Sequence, residues 1–342
     1  MDVRLSPEQV ALRDSAAQML DRLATRAVRD LDDSERKAKL DAAVEASGWR
    51  DLRVASEGRN PLASAVEAAI IAEELGRALA DTPFLGPTLA SDLRRRSGAG
   101  APQGRESVAL VSDLSSPAEA TTTDGVVVDS EDAISALVLL RSGSGWGLAA
   151  VALGPAGNQV DLTRAVAAVG GTEPAGLPDA VELLTDDDVL AWWALGLALT
   201  CADLVGVMRG VIDLATDYAA SRRQYGVPVG SFQAVQHMLA DAVVAMEGSR
   251  STALHAAWAV DALAPADALV AASVAKAYCV RAARSVCETG IQVHGGIGNT
   301  WDCLAHVFLR RALLSSDILG GIGASLSRVL AHRGIGEDNG LR

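Results

Sequence analysis

The sequence predicts a mostly α-helical chain interrupted by a small β region. Three observations carry that expectation. Behind Ser6-Pro7, a cap followed by proline in a first turn, Leu12, Ala16, Met19, Leu20 and Leu23 recur at helical spacing. Between residues 97 and 188 the period shortens to brief apolar runs broken by Gly-rich turns. From residue 189 the helical period returns in long stretches. The chain therefore divides into an N-terminal helical domain (1–100), a reduced middle β domain (101–188) and a C-terminal four-helix bundle (189–342).

In the first part, Ala63–Leu79 is an amphipathic helix with Val66, Ile70, Ile71, Leu75 and Leu79 inward and Glu67, Glu73 and Glu74 largely outward. Gly48 and a Gly58–Pro61 turn separate the helices. In the middle, SVALV, GVVVD, AISALVLLR and WGLAAVAL read as strands, with turns at DG, GSG and GPAGN. The GSGWG at 143–147 is a hairpin turn and not a phosphate cradle, because no helix follows it. Helices are then predicted over 189–220, 232–263, 267–290, 302–314 and about 317–332; joined by short loops, they form a bundle.

Composition removes several function classes. The chain has 342 residues, 49% of them hydrophobic and 21% charged, which allows a full core without disulfides or a structural metal. A net charge of −13 and 4% aromatic residues argue against nucleic-acid binding. Cys201, Cys279, Cys287 and Cys303 form no CxxC pair and the five histidines form no metal-binding spacing, so no metal site is expected. The charged start MDVRLSPEQVALRD does not look like a signal peptide, and no run of about 18 uncharged apolar residues appears. A cytoplasmic protein with no membrane partner is the expectation.

Two loops of the C-terminal part could carry chemistry. The first, Ser221–Gln233, ends one long helix with Arg222 and Arg223 and restarts another after Ser231, read as its cap. An Arg fork beside a helix N-terminus suits a pyrophosphate, although a solvated Arg pair at a helix C-terminus has the same letters. The second is Gln292-Val293-His294-Gly295-Gly296-Ile297-Gly298-Asn299-Thr300. Its paired glycines let backbone approach a ligand, Gln292 can donate and accept, and Thr300 is read as capping the next helix. An ordinary interhelical turn, with His294 a hydrogen-bonded structural residue, is the competing reading.

In this order and spacing the two loops resemble the acyl-CoA dehydrogenase family. Its R-x-x-F-G, F-Q-x-x-Q-x-x-L-A-D and Q-x-x-G-G-x-G stretches match Arg222–Gly226, Phe232-Gln233 with Gln236 and Leu239-Ala240-Asp241, and Gln292–Gly298. LSPEQVALRD at 5–14, Gly48-Trp49 and AEELGRALADTPFL at 72–85 agree, so the resemblance spans most of the chain except the middle. It implies that these loops hold the FAD of a neighbouring subunit. Arg222, Gln224 and Tyr225 would contact the pyrophosphate side with Phe232 and Gln233 nearby; Gln292, Val293, His294, Gly295 and Gly296 would line the ADP arm. The family reaction is α,β-dehydrogenation of an acyl-CoA, with a glutamate removing the α-proton as hydride passes to the flavin.

The sequence departs from the family where that glutamate belongs. Placing Arg310-Arg311-Ala312 on the R-D-A motif puts Leu319 at the usual base position, and the alternative position on the long helix is Gly196. Asp317 and Asp203 lie nearby but need a change of register. The T-E-P-x-x-G-S-D and W-I-S/T segments that cover the flavin ring have no counterpart between Arg105 and Asp188; Thr172-Glu173-Pro174 is a coincidence of letters. The resemblance is thus to the shorter, base-lacking member of heterotetramers, known for steroid side-chain CoA breakdown, that pair two chains of each kind. Such a chain would share FAD with a catalytic acyl-CoA dehydrogenase partner, with acyl-CoA as substrate and an electron-transfer flavoprotein as default acceptor. Other readings stay open: a homo-oligomeric acyl-CoA dehydrogenase with a displaced base, a structural or acyl-CoA-binding relative, or a flavin monooxygenase of the same fold.

Overall fold

The computed structural model describes residues 4–143, 145–157, 159–170, 175–176 and 182–335. Four helices open the chain: α1 (Pro7–Leu23), α2 (Ser34–Ala46), α3 (Ala65–Arg77) and α4 (Leu85–Ser97). The predicted start of α1 is a reciprocal cap, with Ser6 Oγ accepting from the Gln9 amide and Gln9 Oε1 accepting from the Ser6 amide. The outer face expected for α3 is not all outside. Glu74 is buried, held by Arg77 at 2.7 Å and by Arg209 at 2.6 Å, because a later helix packs over it.

A seven-stranded sheet follows, made of β1 (Glu106–Leu110), β2 (Val126–Val128), β3 (Ser135–Ser142), β4 (Gly145–Val151), β5 (Leu153–Ala156), β6 (Val166–Val169) and β7 (Ala175–Gly176). Its order is β5-β6-β2-β1-β3-β4-β7. The predicted hairpin at 143–147 joins antiparallel β3 and β4, Ser142 pairing with Gly145. Gly154 to Ala156, expected in a turn, extend as strand β5 against β6. Thr172-Glu173-Pro174 lies outside the described residues.

The rest is helical: α5 (Asp186–Ser221), α6 (Gln233–Ala262), α7 (Pro265–His294), α8 (Ala305–Asp317) and α9 (Ile322–His332). The long helix α5 is 36 residues long and apolar on nearly every side; it is the central rod, wrapped by α3, α6, α7 and α8. By length and hydropathy it could cross a membrane, yet 89% of its most apolar window is buried within the protein, as suits a core helix. Gly206 lets α3 and α5 approach closely, since a Cβ there would overlap the Glu73 carbonyl. The first half of α6 is different. Only Ala242 and Met246 are buried before Ser249, while Val243 and Val244 face outward.

Candidate functional site

Two places on α5 matter, one near its middle and one at its C-terminal end. At the middle, Gly196 faces Leu319 on the segment between α8 and α9. A Cβ added at Gly196 would overlap Leu319 Cδ1 and meet both Leu89 methyl carbons at 3.4 and 3.5 Å. The two positions that the sequence marks as alternative homes of a base therefore lie against one another, and both are hydrocarbon. Leu319 is fully buried and left-handed (φ 62°). Its amide donates to Leu114 O at 2.7 Å, and its carbonyl accepts from Trp193 Nε1 at 3.2 Å and Arg328 Nη2 at 3.0 Å.

Lys276 of α7 fixes the same segment from below. Its ammonium is fully buried and donates to Thr200 Oγ1, Ser315 O and Ile318 O at 3.0, 2.6 and 3.0 Å. Burial pulls its pKa down to about 8. These donations satisfy carbonyls that the end of α8 would otherwise leave without partners.

Neither nearby carboxylate is placed as a base. Asp317 is exposed at the end of α8. Asp203 is buried and fully engaged: Arg311 at 3.0 and 2.7 Å, Arg164 at 3.0 Å and Ser315 Oγ at 2.7 Å. Burial pushes its pKa up, but Arg164 and Arg311 outweigh that and hold it below the usual carboxylate range. Arg311 stands where the R-D-A motif has its acid, and it also donates to Ala80 O at 2.8 Å and Thr163 Oγ1 at 2.9 Å. Asp129 completes the seal, 3.8 Å from Arg164 and accepting from the Phe84 and Gly86 amides that open α4. The gap among Asp129, Arg164, Asp203 and Arg311 measures about 10 Å³, at the limit of what one water needs.

The C-terminal end of α5 is open. Arg222 ends the helix, and its amide still donates to Tyr218 O. A two-residue hairpin follows, β8 (Arg223–Gln224) against β9 (Val227–Pro228), with Tyr225 and Gly226 at its tip (φ 53° and 80°). Tyr225 is 94% exposed and meets Phe232 edge-on, ring centroids 6.3 Å apart. Arg222, Gln224 and Gln233 are also exposed. The cap of α6 is Phe232, not Ser231, whose hydroxyl turns back to Pro228 O; no side chain caps the helix, and while the Val235 amide donates to Phe232 O, those of Gln233 and Ala234 stay available.

The second loop reaches the same end of the bundle, because His294 stacks on Tyr218 at 4.5 Å. Gln292, Gly295 and Gly296 are exposed, Val293 is half-buried, and a Cβ on either glycine would meet nothing within 4 Å. The imidazole of His294 does not line this surface. It is buried, with Nδ1 2.7 Å from Gly290 O, since stacking on Tyr218 and closing the last turn of α7 turn it inward. Thr300 does not cap a helix either: α8 starts at Ala305, and Thr300 Oγ1 donates to Ile297 O.

A family model described as acyl-CoA dehydrogenase, C-terminal domain, matches residues 195–335. Over 273 residues the chain is 30% identical to acyl-CoA dehydrogenase IpdE2 of Mycolicibacterium smegmatis, covering 78% of each protein. The chain belongs to the acyl-CoA dehydrogenase family. A solved variant of the Tcur3481-Tcur3483 steroid ACAD is similar at a TM-score of 0.79 and 23% identity, covering 96% of this chain and 98% of that one. The ChsE4-ChsE5 complex from Mycobacterium tuberculosis is similar at 0.73 and 22%, covering 98% and 99%. At those identities the likeness is one of fold. In this acyl-CoA dehydrogenase family member, the loops at the C-terminal end of α5 are exposed and the middle of that helix is packed shut. Sequence reading missed Arg164, Lys276 and the inward role of Arg311. Their signal is a Lys or Arg set in an otherwise apolar or small-residue stretch, which demands a buried partner.

Proposed function

We propose that this chain is a subunit of an FAD-dependent acyl-CoA dehydrogenase that supplies cofactor-binding loops to a catalytic partner and no base of its own. The observation that carries this is the contact of Gly196 with Leu319: both base positions are apolar and packed shut, while the loops at the other end of α5 are open. Those loops fit an anionic diphosphate arm. Arg222 offers an exposed guanidinium without a partner among the described residues, the first turn of α6 offers amides, and Gly295 and Gly296 leave room for close backbone approach. When bound, FAD supplies the two-electron acceptor for the α,β-dehydrogenation.

Within this reading, Arg222, Gln224 and Tyr225 hold the pyrophosphate side, with Phe232 and Gln233 beside them. Gln292, Val293 and the Gly295-Gly296 backbone border the ADP arm, and His294 holds that loop in place from inside. The exposed face of α6 at Val243 and Val244 goes to the partner subunit in a heterotetramer, acting on acyl-CoA and passing electrons to an electron-transfer flavoprotein. A steroid side-chain CoA is the substrate class favoured by the steroid ACAD among the similar structures. The division 1–100, 101–188 and 189–342 and a cytoplasmic setting belong to the same proposal.

Co-expression with a base-bearing family member tests it. The pair is expected to bind FAD and oxidise a steroid side-chain acyl-CoA, with flavin occupancy falling in Arg222→Ala. Flavin-dependent oxidation by this chain alone would overturn the reading.

A further inference from the structure

A ring contact ties together the two loops at the C-terminal end of α5. Tyr218 stands one turn before Arg222, and its carbonyl accepts the Arg222 amide at 2.8 Å. Its ring stacks on the imidazole of His294, the last residue of α7, with 28° between planes. His294 is gripped from behind as well, since Nδ1 donates its hydrogen to Gly290 O, which can only accept. Gly295 and Gly296 follow it directly in the chain. The stack therefore joins the root of the Arg222 loop to the root of the glycine loop.

Each loop also rests on its own side of that stack. A Cβ at Gly230 would stand 3.0 Å from Ala219 O, so the first loop folds back onto α5 beside Tyr218. A Cβ at Gly298 would stand 3.1 Å from His294 Cβ, so the second folds back onto the histidine. Tyr218 is half-buried and His294 buried, whereas Arg222, Gly295 and Gly296 are exposed. The Tyr218 hydroxyl makes no hydrogen bond among the described residues, so the ring is what this side chain contributes.

We propose that Tyr218 is a positioning residue for the ADP arm of FAD, acting through His294 to hold the two loops at one spacing. This rests on the reading that those loops bind FAD. An arm gripped at its pyrophosphate by the Arg222 loop and farther along by the glycine loop needs both in register. Two loops free to move apart would have to be ordered on binding, which costs affinity; a stack already made removes that cost. In this role Tyr218 acts without touching the arm.

The test uses the complex co-purified with a base-bearing family member, depleted of flavin and titrated with FAD and with FMN, which lacks the ADP arm. Tyr218→Leu keeps the bulk and loses the stack; it should lower the preference for FAD over FMN about tenfold. Tyr218→Phe, which restores the ring, should restore the preference. Damage to the fold at large would weaken both flavins alike and would overturn the positioning role, as would an unchanged preference in Tyr218→Leu. A second measurement needs no variant: adding ADP to the flavin-depleted complex should slow amide exchange in residues 222–226 and 292–296 together. Protection of one loop alone would overturn the proposal. Arg222→Ala separates the two readings. If it weakens FAD and Tyr218→Leu does not, the loops bind flavin without this device; if neither does, the flavin reading fails and takes this proposal with it.

Discussion

The middle of α5 and its C-terminal end are built from opposite materials. Around Gly196 and Asp203 the chain is closed, with leucine methyl groups where a base would stand and paired charges sealing the join between sheet and helices. Around Arg222 it is open, with an uncapped helix start, an exposed tyrosine at a hairpin tip and two glycines facing free space. The difference separates a stretch of one helix given over to packing from an end whose side chains are left exposed. Closed positions should answer substitution with the larger losses of stability, and an open side chain such as Arg222 with lost binding.

The largest effect is expected at Asp203. Asp203→Ala leaves Arg164 and Arg311 buried without their counter-charge and should cost about 3–5 kcal/mol in urea unfolding. Because its folded pKa lies below the unfolded one, Asp203 contributes stability present above the unfolded pKa and lost as pH falls through the folded value. Asp203→Asn should therefore flatten that acid limb in melts taken across pH.

Next comes the contact between Gly196 and Leu319. Gly196→Ala should cost about 1–3 kcal/mol through overlap with Leu319. Adding Leu319→Ala removes the overlapping methyl, so the double variant should be more stable than the sum of the singles predicts, by about 0.5–3 kcal/mol. Strict additivity would mean that the two positions do not touch.

At the open end the stability effects shrink. Gly295 combines φ 66° with ψ −143°, a conformation that a Cβ disfavours, and Gly295→Ala should cost about 1–2 kcal/mol. Arg222→Ala should leave the melting curve within about 0.5 kcal/mol of the parent yet lower flavin occupancy of the co-purified complex. A loss of stability there would erase the contrast between the two regions.

Local signals were legible where they acted locally. The Ser6-Pro7 start, the helix periods and the β3–β4 hairpin follow from neighbouring residues, and the two loop motifs lie at one end of the bundle. Side-chain direction was less legible. His294 was a lining residue by family resemblance and a hydrogen-bonded structural one by its own chemistry; Tyr218, on a helix two before it in the chain, stacks on it and turns it inward. Glu74 read as solvent-facing on helical phase, but Arg209 lies over it.

The sequence by itself determined the helical class, the resemblance to acyl-CoA dehydrogenases and the absence of an acid at positions 196 and 319. Only the tertiary structure decided that those two positions are one place, packed shut, and that Asp203 is a structural anion. The physical reason is that burial and pairing depend on residues far apart in the chain. Arg164 and Arg311 reach Asp203 from separate elements, and no local pattern announces such a meeting.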